Sequence, residues 1–357
     1  MAYTTVNKSK DHFITHLYSG NDSTNNQTSL GLTPDFVWVK CRNNSTPSHY
    51  MVDKVRGDKK YLSTNNDAAE ATDSNTFDLV SGGFNLAGGN GWTNVSGRNY
   101  VAWNWKANGA GSANTEGTAA NVTVSANTTA GFSIVQFDAT QSRVSVGHGL
   151  GAVPDAILIK ETEGASGWVT GGFGRDWSGY HSLQSNNAFN NDSNDSSGTG
   201  RMFTPDGYAP TSSLFYTNGS AFLSSGTKTC IAYVFKSITG FSKFGTYVGN
   251  GNSSDGSFVY TGFKPEFVMV KASSGADSWQ MTDQPRDDNR TPDYARLLAN
   301  ATAAEDENQT WAKIEKLSNG FKLNHNDGVS NQDGRTYIYM AFGQSLVGSN
   351  NTPCTAR

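Results

Sequence analysis

Catalysis by side chains needs a nucleophile, a base and an orienting group held together. In this 357-residue chain the raw material is six histidines, three cysteines and 31 acidic residues. His12 and His16 are spaced i, i+4, which on a helix would suit a metal pair. Their surroundings, Phe13-Ile14-Thr15-His16-Leu17-Tyr18, read as a strand, where that spacing separates them by about 13 Å, too far to share an ion. His148 lies in Val146-Gly147-His148-Gly149-Leu150-Gly151, whose glycines could hold a loop near a ligand. No helix follows, so this is not a phosphate loop, and a turn residue is the simpler reading. His49, His181 and His325 recur at no shared position.

Carboxylates give a similar result. Asp192 and Asp195 sit in an oxygen-rich stretch that could hold calcium, but the glycine and distal glutamate of an EF-hand loop are missing. A solvated loop is expected there. Asp53 and Arg56 recur as Asp283 and Arg286, which predicts a structural ion pair, with a shared ligand contact as the sharper alternative. Only the reversed Arg175-Asp176 offers anything comparable elsewhere. Cys41, Cys230 and Cys354 are far apart and odd in number, so no disulfide framework is implied; Cys41 and Cys230 read as small apolar fillers. Catalytic residues, metal ligands and cofactors are all expected to be absent, and the protein is expected not to be an enzyme.

Aromatic faces can stack on sugars, which makes the eight tryptophans candidates for a contact surface. Trp38, Trp103 and Trp105 fall on strands by periodicity. Trp92, Trp168, Trp177, Trp279 and Trp311 lie in variable stretches and are the candidates for contact, although burial under a loop is the simpler expectation for each.

The elements that would position these groups come in three copies. Pro34-Asp35-Phe36-Val37-Trp38-Val39-Lys40 recurs as Pro154-Asp155-Ala156-Ile157-Leu158-Ile159-Lys160 and Pro265-Glu266-Phe267-Val268-Met269-Val270-Lys271. A glycine stands three residues before each proline: Gly31, Gly151 and Gly262. Tyr100-Val101-Ala102-Trp103-Asn104-Trp105 closes the first copy and matches Cys230–Phe235 and Tyr337–Phe342. Large apolar residues at every second position of this closing strand predict one strongly buried face. The Pro-led strand is apolar on both faces, so its second face must meet another copy or another subunit. Gly131-Phe132-Ser133 and Gly240-Phe241-Ser242 open copies two and three. Copies one and three also share Ala68-Ala69-Glu70 with Ala303-Ala304-Glu305, and Gly83-Phe84-Asn85-Leu86 with Gly320-Phe321-Lys322-Leu323.

The expected fold is all-β, three tandem antiparallel β-sandwich domains, with a jelly-roll or lectin-like topology as one candidate. The boundaries are 1–108, a linker over 109–121, 122–238, 239–345 and a tail over 346–357. The small, polar linker predicts that copy one moves freely while copies two and three pack closely. Charged residues make up 16% of the chain and the formal charge is −4, with no basic run, which argues against nucleic acid as a partner. No signal-peptide core or membrane-length apolar run is present.

Phe132-Ser133-Ile134-Val135, Val146–Pro154, Tyr100–Trp105 and Tyr260–Pro265 together resemble an uncharacterised repeat domain of tailed phages, mainly marine ones. The resemblance runs from the first residue to about Phe342 and implies a virion structural or appendage protein. It transfers no active-site residues. The expected role is a compact tail or head appendage, or a capsid decoration protein, exposed on the particle. Expected partners are other virion proteins, a host surface glycan or receptor, and further copies of the chain. Neither a membrane nor nucleic acid is expected. A glycan-degrading depolymerase is the alternative; it would need a carboxylate pair across a cleft, and none is recognisable.

Overall fold

The structure, a computed structural model, describes residues 4–73, 76–89, 91–175, 177, 179–183, 190–191, 209–219, 222–287, 295–306 and 313–344. Among the described residues strands make up 47% and helices 3%, so the fold is nearly all β, in several antiparallel sheets. Each copy begins its main sheet in the same order. In copy one Phe13–Ser19 pairs with Asn99–Trp105, which pairs with Phe36–Cys41, which pairs with Tyr50–Asp53. Copy three repeats this with Ser242–Val248, Thr336–Gln344, Lys264–Ala272 and Gln280–Asp283. In copy two the order is Phe132–Ala139, Lys228–Phe235, Ala156–Glu161 and Val169–Gly172, within an eight-stranded sheet. The closing strand is thus central in each sheet, beside the Pro-led strand.

Shared register makes residues equivalent between copies. Phe36 faces Trp105, Ala156 faces Phe235 and Phe267 faces Phe342. By the same register Phe132 sits opposite Phe235, but Ser242 sits opposite Phe342. The two Gly-Phe-Ser openings are therefore one residue out of step, and on the other side of the closing strand copy three has a bulge between Pro265 and Phe267. Gly31, Gly151 and Gly262 have φ of 78°, 68° and 86°. This left-handed turn, which side chains disfavour, explains the repeated glycine ahead of each proline.

A second, smaller sheet covers one face of each main sheet. Asn25–Gln27, Gly83–Ala87 and Thr76–Val80 form it in copy one, and Phe258–Tyr260, Gly320–Leu323 and Ile314–Leu317 in copy three. Copy two uses the pair Arg143–Gly147 and Leu214–Asn218. Each sheet pair encloses its own core. Val37, Val39 and Ala102 meet Phe77, Phe84 and Leu86 in copy one. Ile157, Ile159 and Val234 meet Val146 and Phe215 in copy two, and Val268 and Val270 meet Phe321 and Leu323 in copy three.

The opposite faces of the three main sheets pack on one another. Phe36, Trp38, Trp103 and Trp105 share a single core with Leu158, Ile231, Tyr233 and Phe235 and with Phe267, Met269, Met340 and Phe342. Phe36 stacks on Tyr233 at 4.2 Å between ring centroids, and Phe342 lies 5.7 Å from Trp105 and 6.0 Å from Phe235. The strands apolar on both faces are accounted for: one face looks into the copy's own core, the other into this common one.

Two expectations about the junctions are corrected. Residues 109–121 do not run as a free linker. Ser112–Ala113 pairs with Ala120–Asn127 at the edge of copy two's sheet, and the Thr118 and Ala119 amides donate to the Ser145 carbonyl. Serines and threonines that suggest flexibility here close a turn instead. Nor does copy one move apart from the others, because Trp38, Trp103 and Trp105 are buried among the other two copies. Limited proteolysis checks both points. Cleavage within 109–121 is expected to be slow, and a chain nicked there is expected to elute at the intact size without denaturant. A residue 122–238 fragment made alone exposes Phe132, Ile134, Tyr233 and Phe235 and is expected to bind the dye ANS strongly or to aggregate.

Candidate functional site

The charged groups that recur in the sequence meet where the copies touch. Asp53 ends a strand, and its Oδ1 accepts the Val55 and Arg56 amides at 3.0 and 2.9 Å. Its Oδ2 takes Arg56 Nε at 2.6 Å and the Tyr233 hydroxyl of copy two at 2.8 Å. Arg56 continues to Glu70 Oε2 at 3.1 Å and the Met51 carbonyl at 3.0 Å. Copy three repeats the pattern. Asp283 Oδ2 takes Arg286 Nε at 2.6 Å and the Trp103 indole of copy one at 3.0 Å, while Arg286 reaches Glu305 at 3.0 Å. Burial works against the Arg56 charge, but the adjacent Asp53 carboxylate outweighs it and holds the pKa above its ordinary value.

Copy two lacks this acid, and the register shows what replaces it. Asp53 lies opposite Phe36 and Asp283 opposite Phe267; Gly172 lies opposite Ala156. Trp103, Tyr233 and Met340 are likewise equivalent. Copy two donates to copy one, and copy one to copy three. At the corresponding positions copy three has Met340, which has no proton to donate, and copy two has Gly172, which has no carboxylate and whose φ of 90° favours glycine. An unmatched buried donor or acid costs about 1–3 kcal/mol or more, so the two losses accompany each other.

A second set of contacts closes the same circle in the same direction. Register makes His49, Trp168 and Trp279 equivalent. The His49 Nε2 of copy one lies 3.0 Å from the Leu298 carbonyl of copy three. Trp279 of copy three donates to the Ser182 carbonyl of copy two at 3.0 Å, and Trp168 of copy two to the Ser63 carbonyl of copy one at 2.7 Å. His49 replaces tryptophan because its neighbour differs. Trp38 donates to His49 Nδ1 at 2.8 Å, and the positions equivalent to Trp38 are Leu158 and Met269, which need no acceptor. Accepting at Nδ1 and donating from Nε2 fixes His49 as a neutral ring. Burial, and next the Lys40 charge, lower its pKa from 6.5 to about 3.

The repeated lysines behave alike. Lys40 donates to the Cys41, Pro47 and Thr302 carbonyls, Lys160 to Asp67, Glu161 and Gly164, and Lys271 to Ala272 and Gly275. Thr302 belongs to copy three and Asp67 to copy one, so two of these bonds also cross between copies. Burial lowers the pKa of each lysine to about 8. Asn94 and Asn331, which the sequence reading passed over, are equivalent plugs. Asn94 Oδ1 accepts the Asn21 amide and Asn331 Oδ1 the Asn250 amide, each at 3.1 Å. Both asparagines stand six residues before the first tyrosine of a closing strand, Tyr100 or Tyr337. That spacing was the available signal.

Other candidates are placed as follows. Trp168 and Trp279 are not on a contact surface; they are 0% and 1% exposed, inside the common core. Trp92 and Trp177 are half-buried against the cores of copies one and two. Trp311, Asp192, Asp195, Asp176 and Cys354 lie outside the described residues. Cys41 and Cys230 are buried and free. His148 is buried, with Nε2 3.2 Å from the Thr211 carbonyl and Nδ1 accepting the Leu150 amide, as a turn residue would be. His12 and His16 contact Asn127 and Gln27 respectively and do not converge. No group of three metal-ligating side chains occurs among the described residues.

Two cavities open at junctions between copies. One of about 270 Å³, between copies one and three, is lined by Lys10, Ile14, Thr15, Glu266, Gln284 and Pro285, among others. There Glu266 Oε1 accepts the Thr15 amide at 2.9 Å, and burial raises its pKa to about 7. The other, of about 440 Å³, lies between copies one and two and is lined by Arg56, Lys60, Ala69, Glu70, Gln136, Thr162, Glu163 and Thr229.

A family model described as "Domain of unknown function (DUF7483)" matches residues 8–345 and so spans all three copies. No curated protein and no solved structure matches the chain.

Two measurements test the circle of contacts. His49→Trp leaves Trp38 without an acceptor and is expected to cost about 1–3 kcal/mol in urea unfolding. Adding Trp38→Leu, which copies the pairing of copy two, is expected to recover about half or more of that loss. The acid limb provides the second test. Folded His49 resists protonation down to about pH 3 whereas an ordinary histidine titrates at 6.5, so the stability that neutral His49 supports is present above pH 6.5 and is lost as pH falls towards 3. The double variant is expected to show a shallower loss of stability between these limits than the wild type.

Proposed function

We propose that this chain, which belongs to the DUF7483 family, is a non-catalytic structural protein with a binding role on the surface of a phage particle, built from three β-sandwich repeats. The observation that carries the non-catalytic part is the fate of the recurring charges. Asp53, Arg56, Glu70, Asp283, Arg286 and Glu305 are engaged with one another and with neighbouring copies. Groups so paired hold copies in register, and with their charges already matched they are not free to act as a general acid or base. Particle membership is supported by the sequence resemblance to phage repeat domains.

Three sheet pairs closed on a common core make a compact body, which favours an appendage or decoration protein over a long fibre. The apolar faces that would otherwise call for further copies of the chain cover one another within it, so we rest no oligomer on them. Loops carried on such a rigid scaffold suit contact with other virion proteins or a host surface glycan. Negative-stain imaging of particles bearing gold-tagged protein is expected to place label on the head or the tail. Label on neither would end the virion assignment. Incubation with host polysaccharide is expected to release no oligosaccharide; release would establish the depolymerase instead.

A further inference from the structure

The cavity between copies one and two exists because one contact of the circle is missing. Glu70 and Glu305 are equivalent: the Glu70 amide donates to the Thr162 carbonyl at 2.7 Å and the Glu305 amide to the Arg42 carbonyl at 2.6 Å. At the copy three to copy one junction the Arg42 side chain turns onto Glu305, with Nη2 2.6 Å from Oε1 and Nε 3.0 Å from Oε2. At the copy one to copy two junction Thr162 stands in that place and is too short to do so. The void of about 440 Å³ opens there.

Charge and volume are resolved differently at this gap. Glu305 carries two cations, Arg286 and Arg42. Glu70 also carries two, Arg56 at 3.1 Å and Lys60 at 3.0 Å, the lysine reaching in with its side chain 50% exposed. Glu163 is the remaining carboxylate of the lining and pairs with Lys228 at 3.7 Å. Lys60 has therefore supplied the missing charge of Arg42 but not its bulk. What remains is a polar, charge-balanced cavity in the size range of small-molecule sites. Desolvating a further ion in it would go unrewarded, whereas a neutral group with hydroxyls would be matched.

The lining suits hydroxyls, which donate and accept at once. Glu163 and Glu70 accept, and Lys60 donates. The Gln136 side-chain amide does both and makes no hydrogen bond among the described residues. Thr162 donates to the Thr229 carbonyl at 2.9 Å, which leaves its oxygen able to accept. We infer that this cavity binds a neutral polyhydroxylated ring, a single sugar unit of a glycan. The inference deepens the binding role proposed above and rests on it.

Ligand-observed NMR, by saturation transfer from the intact chain to neutral D-hexoses, tests the site. At least one hexose is expected to bind. Thr162→Arg rebuilds the Arg42 arrangement and fills the cavity. It is expected to weaken hexose binding at least 10-fold while the melting temperature stays level or rises. Gln136→Ala, half-exposed and outside the buried circle, is expected to weaken binding about 5-fold without unfolding the chain, and so decides the matter if Thr162→Arg misfolds. Methylguanidinium serves as the control cation. No hexose binding, hexose binding unchanged in both variants, or methylguanidinium binding tighter than every hexose would each overturn the site. Imaging of labelled particles reads the virion role separately, so the two failures are distinguishable.

Discussion

An apolar face cannot be left in water, and in this chain three sheets each carry one more of them than their own cover sheet can hide. Full burial of a large apolar side chain is worth roughly 1.5–3 kcal/mol. The second faces present Phe36, Trp38, Trp103 and Trp105 in copy one alone. Because each closing strand is central, its three large side chains project together, and three such faces meet most completely around one core. Arrangement as independent beads would sacrifice that burial. The short junction after Phe235 and the folded turn over 109–121 follow from this constraint, because both must keep neighbouring copies in contact.

Non-directional packing gathers the copies but does not set their register. The polar circle does. Tyr233 on Asp53, Trp103 on Asp283, and the ring N–H groups of His49, Trp168 and Trp279 on neighbouring carbonyls all run in one direction around it. Breaking a buried charged pair on one side leaves a charge uncompensated and costs several kcal/mol. Changes in diverging copies are therefore tolerated best when a hydrogen-bonding partner changes with them. His49 with Trp38 is such a pair within copy one, and Tyr233 with Asp53 is one that spans a junction. Copy two is the most divergent by sequence, and where Thr162 stands in the place of Arg42 its loss is answered in charge by Lys60 but not in volume.

This explains what could and could not be read from the sequence. Period-two apolar patterns at Val101, Trp103 and Trp105 and their counterparts located the central strands, and the two-faced Pro-led strand signalled a further packing partner. Which partner filled that role was hidden, because side-chain pattern reports burial and not identity. Trp168 and Trp279 looked free to make contacts because their flanks vary between copies; they are held by carbonyls, and a carbonyl leaves no trace in side-chain sequence. The same blindness applies to 109–121, where hydrogen bonds from the Thr118 and Ala119 backbone turn a linker-like composition into a strand connection. Asp53 and Arg56 were recognisable as a pair, but Tyr233, 180 residues away, was not recognisable as its third member.

The same physics bears on chemistry. A general acid or base works best with a pKa near the operating pH and with room for a reacting atom beside it. Lys40, Lys160 and Lys271 come within range at about 8, but each is buried and donates to backbone carbonyls, and burial is the main cause of the shift. Glu266, at about 7, faces a cavity with one oxygen fixed on the Thr15 amide. Lys10, Thr15, Lys264, Gln284 and Gln344 line the cavity around it, and among the described residues no second carboxylate does. Of these groups, Lys40, Lys160 and Glu266 bond across a joint between copies.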